Sequence, residues 1–283
     1  MQMNLTQKSV VLDRTLLDLG SVLVAYSGGT DSAFLAWSAH RVLGNQMLAV
    51  IADSASLPRA ELAAAVAFTA NHNIPTHILQ TSELENPDYQ RNDRLRCFYC
   101  KDELFTRMEQ TRLRLNFTHI AYGMNLDDAD PSVAIFRPGQ QAAANHNAVA
   151  PLVTASLTKP EIRSLARAAG LSLADKPASA CLASRIEYGR AVTRENLWQV
   201  EQAEDALHAL GFPQVRVRHH GTLARIEIDR ADLPRANSEN LLEQITNTFK
   251  RIGFSDIAID PEGYRSGSMN NLVPTSAILS ATT

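Results

Sequence analysis

Short apolar runs alternating with amphipathic stretches dominate the first 175 positions of the chain. Val22-Leu23-Val24-Ala25-Tyr26, Leu48-Ala49-Val50-Ile51-Ala52, Thr76-His77-Ile78-Leu79 and His119-Ile120-Ala121-Tyr122 each read as a strand. Runs of four or five apolar residues bounded by turn signals fit strands buried on both faces, as in parallel sheets. Between them the spacing predicts helices from Ala33 to Leu43, from Pro58 through Glu61 to Asn71, and from about Lys101 to Leu113. An amphipathic helix opens the chain between Met1 and Gly20, with Asp13, Arg14 and Asp18 among its apolar positions. Thr158-Lys159-Pro160-Glu161 starts another, with Thr158 as cap and Glu161 reaching back, and Gly170 ends it after Ala169. Strands alternating with helices predict an α/β fold with a doubly wound, mainly parallel sheet. Ligands on such sheets sit at the carboxyl ends of the strands. The loop after Tyr26, Asp53 and Gly123 all fall there.

After about Asp175 the pattern changes. A helix from roughly Arg194 to Leu210 precedes two strands, Val215–Arg218 and Ala224–Ile228. His219-His220-Gly221-Thr222 reads as their hairpin turn, which would leave both histidines exposed. A helix from about Ser238 to Ile252 and a strand Asp256–Ile259 complete a smaller α+β domain. The division expected is therefore 1–175 for the α/β domain and 176–283 for the smaller C-terminal domain, with little information in the tail after Asn270.

The loop after the first strand is Ser27-Gly28-Gly29-Thr30-Asp31-Ser32. Two glycines let the backbone turn tightly and approach a ligand closely. The N–H groups of the loop and of the first helical turn are then free to bind an anion, helped by the helix dipole. Ser27 and Ser32 add hydroxyl donors, and Asp31 can meet a phosphate through a bridging magnesium ion. No Gly-Lys-Ser/Thr follows, so this is a phosphate cradle without the Walker lysine.

Composition limits the partners. The 283 residues carry a net charge of −3, with 45% hydrophobic and 20% charged residues. That is the balance of a globular protein, with no basic field to bind nucleic acid non-specifically. No apolar stretch approaches a membrane span, and the first helix is too polar for a signal peptide, so the cytoplasm is the expected location. Three cysteines in such a chain are not a disulfide framework.

Their positions carry the information. Cys97-Phe98-Tyr99-Cys100 is a C-x-x-C motif placed just before a predicted helix. Alone it fits a redox pair, part of a zinc site or a metal-cluster clamp. Zinc held by four cysteines is excluded by the count, whereas three cysteines and one histidine remain open. The third, Cys181, stands in Ala178-Ser179-Ala180-Cys181-Leu182-Ala183-Ser184-Arg185. Three thiolates can hold three corners of a 4Fe–4S cluster and leave the fourth iron open for a sulfur ligand. Arg216 and Arg218 alternate on one strand and so share a face. Two adjacent guanidinium groups match a phosphate, although an ordinary strand face with carboxylate neighbours is the plainer reading. Glu204 and Glu227 read either as cation ligands or as surface acids.

The Ser27–Ser32 string resembles the PP-loop of the ATP pyrophosphatase superfamily, which implies cleavage of ATP between its α- and β-phosphates. The resemblance extends from there to about Asn270. It rests on Ala178-Ser179 through Ser184-Arg185, Tyr188-Gly189, Leu210-Gly211-Phe212-Pro213 with Val215–Arg218, Ala224–Glu227, and Gly263-Tyr264-Arg265-Ser266-Gly267-Ser268-Met269-Asn270. Over that span the chain is similar to the LarE-type ATP-dependent sulfur transferases, which act in synthesis of a nickel-pincer nucleotide cofactor. The resemblance implies that a carboxylate of a pyridinium dicarboxylate mononucleotide is adenylated and converted to a thiocarboxylate with release of AMP. It further implies that Arg216 and Arg218 hold the substrate phosphate, that Ser184 and Arg185 border the reacting group, and that the chain forms a homo-oligomer. In one branch a single cysteine surrenders its own sulfur; that position is Ala180 here. The chain therefore resembles the cluster-bearing branch, with ATP, magnesium and a 4Fe–4S cluster on Cys97, Cys100 and Cys181, and sulfide or another sulfur donor as co-substrate. Readings that compete are a tRNA-thiolating enzyme, an ammonia-using ligase that would leave the cysteines unexplained, and a nucleotide sensor without chemistry.

Overall fold

The computed structural model describes residues 3–129, 138–177 and 179–265. Ala178, the stretch from Ser266 to Asn270 and the tail beyond it lie outside the described residues. In chain order the elements are α1 (Leu5–Leu19), β1 (Val22–Ala25), α2 (Thr30–Leu43), β2 (Met47–Asp53), α3 (Arg59–Asn71), β3 (Thr76–Gln80), α4 (Pro87–Gln90) and α5 (Arg96–Leu115). Then come β4 (His119–Tyr122), α6 (Leu126–Ala129), α7 (Pro138–Asn145), α8 (Pro151–Thr154) and α9 (Lys159–Ala168). The rest are α10 (Arg194–Ala209), β5 (Val215–His220), β6 (Leu223–Ile228), α11 (Leu233–Ala236), α12 (Glu239–Ile252) and β7 (Asp256–Ile259). They form two compact units, one running up to Glu83 and taking in Cys97–Ser179, the other made of Leu84–Arg96 with the chain from Ala180. Among the described residues no helix is long and apolar enough to cross a membrane.

In the first unit four parallel strands pair in the order β3-β2-β1-β4. Side chains alternate across each strand, and both faces are covered. Val22, Val24, Met47, Ala49 and Ile51 join one core with Leu12 and Leu16 of α1, Phe34 and Leu35 of α2, Phe68 of α3 and Ile162 of α9. Leu23, Ala25, Val50 and Ile120 point the other way, onto Phe105 and Met108 of α5. Helices on both faces explain why these strands are continuous apolar runs rather than alternating ones. The helix expected after Thr158 is present, and the Glu161 carboxylate accepts from both the Thr158 amide and hydroxyl at 3.0 Å.

α5 begins at Arg96 rather than near Lys101. Asp93 draws the start forward: its carboxylate accepts the Leu95 amide at 2.7 Å and its carbonyl the Arg96 amide at 3.1 Å. The C-x-x-C motif therefore occupies the first helical turn instead of preceding it.

The second unit holds the sheet β5-β6-β7, antiparallel between β5 and β6 and parallel between β6 and β7. Ala203 and Leu207 of α10 and Ile245 and Phe249 of α12 close its core against Val215, Val217, Ile226 and Ile228. β5 continues through both histidines, pairing His219 with Ala224 and His220 with Leu223, so the turn shrinks to Gly221-Thr222. His219 is thus a buried strand residue, 2% exposed, and not a turn residue. Its Nε2 lies 2.9 Å from the Gln199 side-chain oxygen, and its Nδ1 accepts the Gly221 amide at 3.3 Å. One neutral tautomer satisfies both contacts.

Burial, reinforced by the nearby Arg190 charge, pushes the His219 pKa from 6.5 down to about 4. The unfolded chain binds this proton first, so the contribution of neutral His219 is complete above pH 6.5 and is lost as pH falls toward 4. The depression corresponds to roughly 3 kcal/mol at most. Urea unfolding at stepped pH should show stability declining across that window, with the decline reduced in His219→Gln; an unchanged slope would remove His219 as its source.

Candidate active site

The cradle at the carboxyl end of β1 closes on itself. Gly28 takes a positive φ of 76° and Gly29 caps α2 in an extended conformation. The Ser32 hydroxyl donates to the Gly29 carbonyl at 3.1 Å, accepts the Ser27 amide at 3.2 Å and lies 3.0 Å from the Ser27 hydroxyl. A Cβ on Gly123 would stand 2.7 Å from the Ser32 amide nitrogen and 2.8 Å from its Cα. Only glycine lets the turn after β4 pack against the start of α2.

Asp31 lies in the first turn of α2. Its Oδ2 accepts from Asn125 Nδ2 at 3.2 Å and faces Lys159 Nζ at 3.5 Å, whereas Oδ1 is buried without a hydrogen-bond partner. A buried carboxylate oxygen left unsatisfied is costly, and a hard divalent cation would relieve it. The residues present fit magnesium. Asp53 differs. Burial raises its pKa, but hydrogen bonds from Arg59 and Gln80, at 2.5 and 2.6 Å, outweigh this and hold it below the usual carboxylate range.

Two lysines stand where the loop motif supplies none. Lys176 Nζ donates to the Gly28 carbonyl at 3.0 Å and to Glu61 at 2.5 Å, and Lys159 faces Asp31. A pocket of about 600 Å³ opens beside Lys159, lined also by Asp127, Pro160, Arg163, Ser164 and Arg167. Sequence reasoning passed over both lysines as nucleotide-site residues, because only the fold carries positions 159 and 176 back to residues 28 and 31.

In the second unit Arg185 is 2% exposed and forms a two-pronged ion pair with Glu204, at 3.0 and 3.1 Å. Its remaining nitrogen donates to the carbonyls of Ala180 at 2.5 Å and Cys181 at 2.9 Å. Ser184 Oγ also donates to the Cys181 carbonyl, at 2.8 Å. Ser184 and Arg185 thus hold the backbone around Cys181. Arg218 pairs with the fully buried Glu227 at 2.7 Å. Glu204 and Glu227 are therefore buried partners of arginines, not surface acids. Arg216 stacks over the Tyr264 ring at 5.4 Å. Burial first, then the charge of Arg185, depresses its pKa. Glu227 is shared by two arginines, since Arg225 also reaches it at 3.2 Å.

Cys97 is exposed, and Cys100 and Cys181 are half-buried. Cys97 and Cys100, three apart in the first turn of α5, share a helix face. They belong to the first unit and Cys181 to the second. Among the described residues no group of three His, Cys, Asp or Glu side chains stands ready to hold a metal ion. The fit to an iron–sulfur cluster therefore rests on the donor set of three unbridged thiols.

No protein-family model matches the chain. An uncharacterized protein of Synechocystis (slr1717) is 38% identical over 256 residues, covering 90% of this chain and 94% of that protein. The pyridinium-3,5-bisthiocarboxylic acid mononucleotide synthase of Lactiplantibacillus plantarum is 31% identical over 271 residues, 94% of this chain and 95% of the relative. The chain belongs to the LarE family of that synthase. An uncharacterized protein of Methanocaldococcus jannaschii (MJ0830) matches at 26% over 245 residues, 87% of this chain and 91% of its own.

In this member of the LarE family the burial of the Arg185–Glu204 pair gives it a testable weight. Removing one member of a buried pair leaves an uncompensated charge and costs about 3–5 kcal/mol. Glu204→Gln should destabilise the chain by about that much in urea unfolding, because Glu204 also accepts the Val217 amide at 3.0 Å. A change within roughly 0.5 kcal/mol, the usual surface range, would show that the pair is dispensable.

Proposed function

We propose that this chain is an AMP-forming, ATP-dependent sulfurtransferase acting on a pyridinium dicarboxylate mononucleotide. The observation that carries the reading is the buried, unsatisfied Asp31 Oδ1 at the mouth of the Ser27–Ser32 cradle, in a member of the LarE family. A substrate carboxylate oxygen attacks the α-phosphorus of ATP, the bond to the β-phosphate oxygen breaks, and pyrophosphate leaves. Sulfide, or a sulfur donor that delivers it, then attacks the acyl carbon, the acyl–oxygen bond breaks, and AMP departs with that oxygen. Amides of the loop and of the first turn of α2 hold the phosphates, with Lys159 and Lys176 in place of the Walker lysine. Asp31 would hold magnesium, which would supply positive charge to offset that of the phosphates. Arg216 and Arg218 hold the phosphate of the mononucleotide.

Cys97, Cys100 and Cys181 would hold the 4Fe–4S cluster, which when bound offers one open iron to a sulfur ligand. Ser184 and Arg185 fix the peptide around Cys181 beside the reacting group. The enzyme is assigned to the cytoplasm and to a homo-oligomer, with no role for nucleic acid or membrane.

Incubation with ATP, magnesium and substrate should yield AMP and pyrophosphate. Asp31→Asn should slow this about 100-fold or more, as loss of a principal electrostatic contact does. ADP and phosphate as products would sink the assignment.

Alanine at Cys97, Cys100 or Cys181 should abolish thiocarboxylate formation while substrate-dependent pyrophosphate release persists. Given sulfide, the anaerobically purified wild type should make more than one thiocarboxylate per chain. Mass spectrometry of the spent enzyme provides the counter-test: loss of one sulfur from Cys181, with production stopping at one equivalent, would replace the cluster route with a sacrificial one.

A further inference from the structure

Within the first unit, a basic stripe runs along α9. Arg163, Ser164 and Arg167 share a face of that helix and, with Asp127, Lys159 and Pro160, line the pocket of about 600 Å³. That volume falls in the range of small-molecule sites. Lys159 belongs to the pocket and to the cradle alike, because its Nζ lies 3.5 Å from Asp31 Oδ2. The pocket therefore adjoins the cradle at Asp31.

Arg163 is the group that calls for a ligand. One terminal nitrogen donates to the Lys176 carbonyl at 3.1 Å, whereas Nε is buried with no hydrogen-bond partner among the described residues. A buried donor left unpaired is costly, and a guanidinium fork matches phosphate oxygens. Arg167 pairs with Asp175 at 2.9 Å, but both side chains are more than half exposed. An ion pair so open to water is weak, so Arg167 can turn to a stronger anion at little cost. The helix end adds nothing of its own. Glu161 takes the Thr158 amide, Asp127 takes the Lys159 amide, and Pro160 has none. Asp127 is the one carboxylate in the lining, and that amide already occupies its Oδ2. Side chains make this site cationic.

We infer that the α9 pocket binds the pyrophosphate end of ATP, with Arg163 and Arg167 as its ligands. The inference rests on the ATP-cleaving reading above. When the bond between the α-phosphorus and the bridging oxygen breaks, that oxygen keeps the electron pair, and the leaving pyrophosphate gains negative charge. Cations fixed at that end stabilise the charge as it develops. AMP lacks the β- and γ-phosphates and so makes no contact with the pocket.

The test measures binding to the full chain by calorimetry, with magnesium pyrophosphate, ATP and AMP as separate probes. Wild type should bind pyrophosphate in competition with ATP and alongside AMP. Arg163→Gln and Arg167→Gln should each weaken pyrophosphate binding about 10–100-fold, as loss of one charge-assisted contact does, and leave AMP affinity unchanged. Wild-type pyrophosphate affinity in both variants would overturn the inference. So would pyrophosphate and ATP bound together, which would make the pocket a separate anion site. Failure of the wild type to bind ATP at all would instead remove the ATP-cleaving reading, and this inference with it.

Arg163 also holds the Lys176 carbonyl, so a second variant leaves that contact in place. Ser164 is exposed, and its hydroxyl donates to the Pro160 carbonyl one turn back at 3.0 Å. Ser164→Glu should weaken pyrophosphate binding through like-charge repulsion, and the neutral Ser164→Gln should not. Equal affinities in these two variants would show that pyrophosphate binds elsewhere.

Discussion

Burial of β1 on both faces is the constraint from which the candidate active site follows. Val22, Leu23 and Val24 are fully buried, and the strand pairs in parallel with β2 on one side and β4 on the other. Parallel neighbours can be joined only by crossover connections, so every strand of this sheet ends at the same edge. Ser27–Ser32 and Gly123 meet there because of that topology, and Asp53 ends β2 at the same edge, bonded to Arg59 and Gln80. The meeting is close enough that Gly123 has no room for a Cβ beside the Ser32 backbone.

Electrostatics shapes the second unit in a different way. Arg185 and Arg218 are nearly sequestered from water, and each is matched by a buried glutamate. Such pairs add little net stability over apolar packing, because desolvation offsets the attraction. What they provide here is position. The Arg185 guanidinium spans Glu204 and the carbonyls of Ala180 and Cys181, so one side chain fixes both the charge balance and the backbone that presents the thiol. Burial and the neighbouring Arg185 charge depress the pKa of Arg216.

The proposed chemistry divides along the same lines. Adenylation draws on rigid elements at the edge of the parallel sheet, and sulfur transfer on loops held by buried arginines. A pre-formed cradle suits a ligand that binds through backbone amides, since those cannot be repositioned by rotamer changes. Thiols contributed by separate segments depend on how each segment is braced.

The sequence by itself determined the elements, because a buried parallel strand must be a continuous apolar run and the amphipathic stretches between must pack on its faces. It also determined the cradle, whose glycines, hydroxyls and Asp31 act within six consecutive positions. Local pattern failed where a distant partner decided the outcome. His219 reads as a turn residue until cross-strand pairing with Ala224 and a contact from Gln199 draw it inside. Cys97 reads as preceding a helix until Asp93 caps that helix earlier. Glu204 and Glu227 read either as cation ligands or as surface acids until buried arginines claim them, and Lys159 and Lys176 gain meaning only beside Asp31 and Gly28. A side chain's charge, burial and reach are set by what folds against it, and for these residues the partner lies elsewhere in the chain.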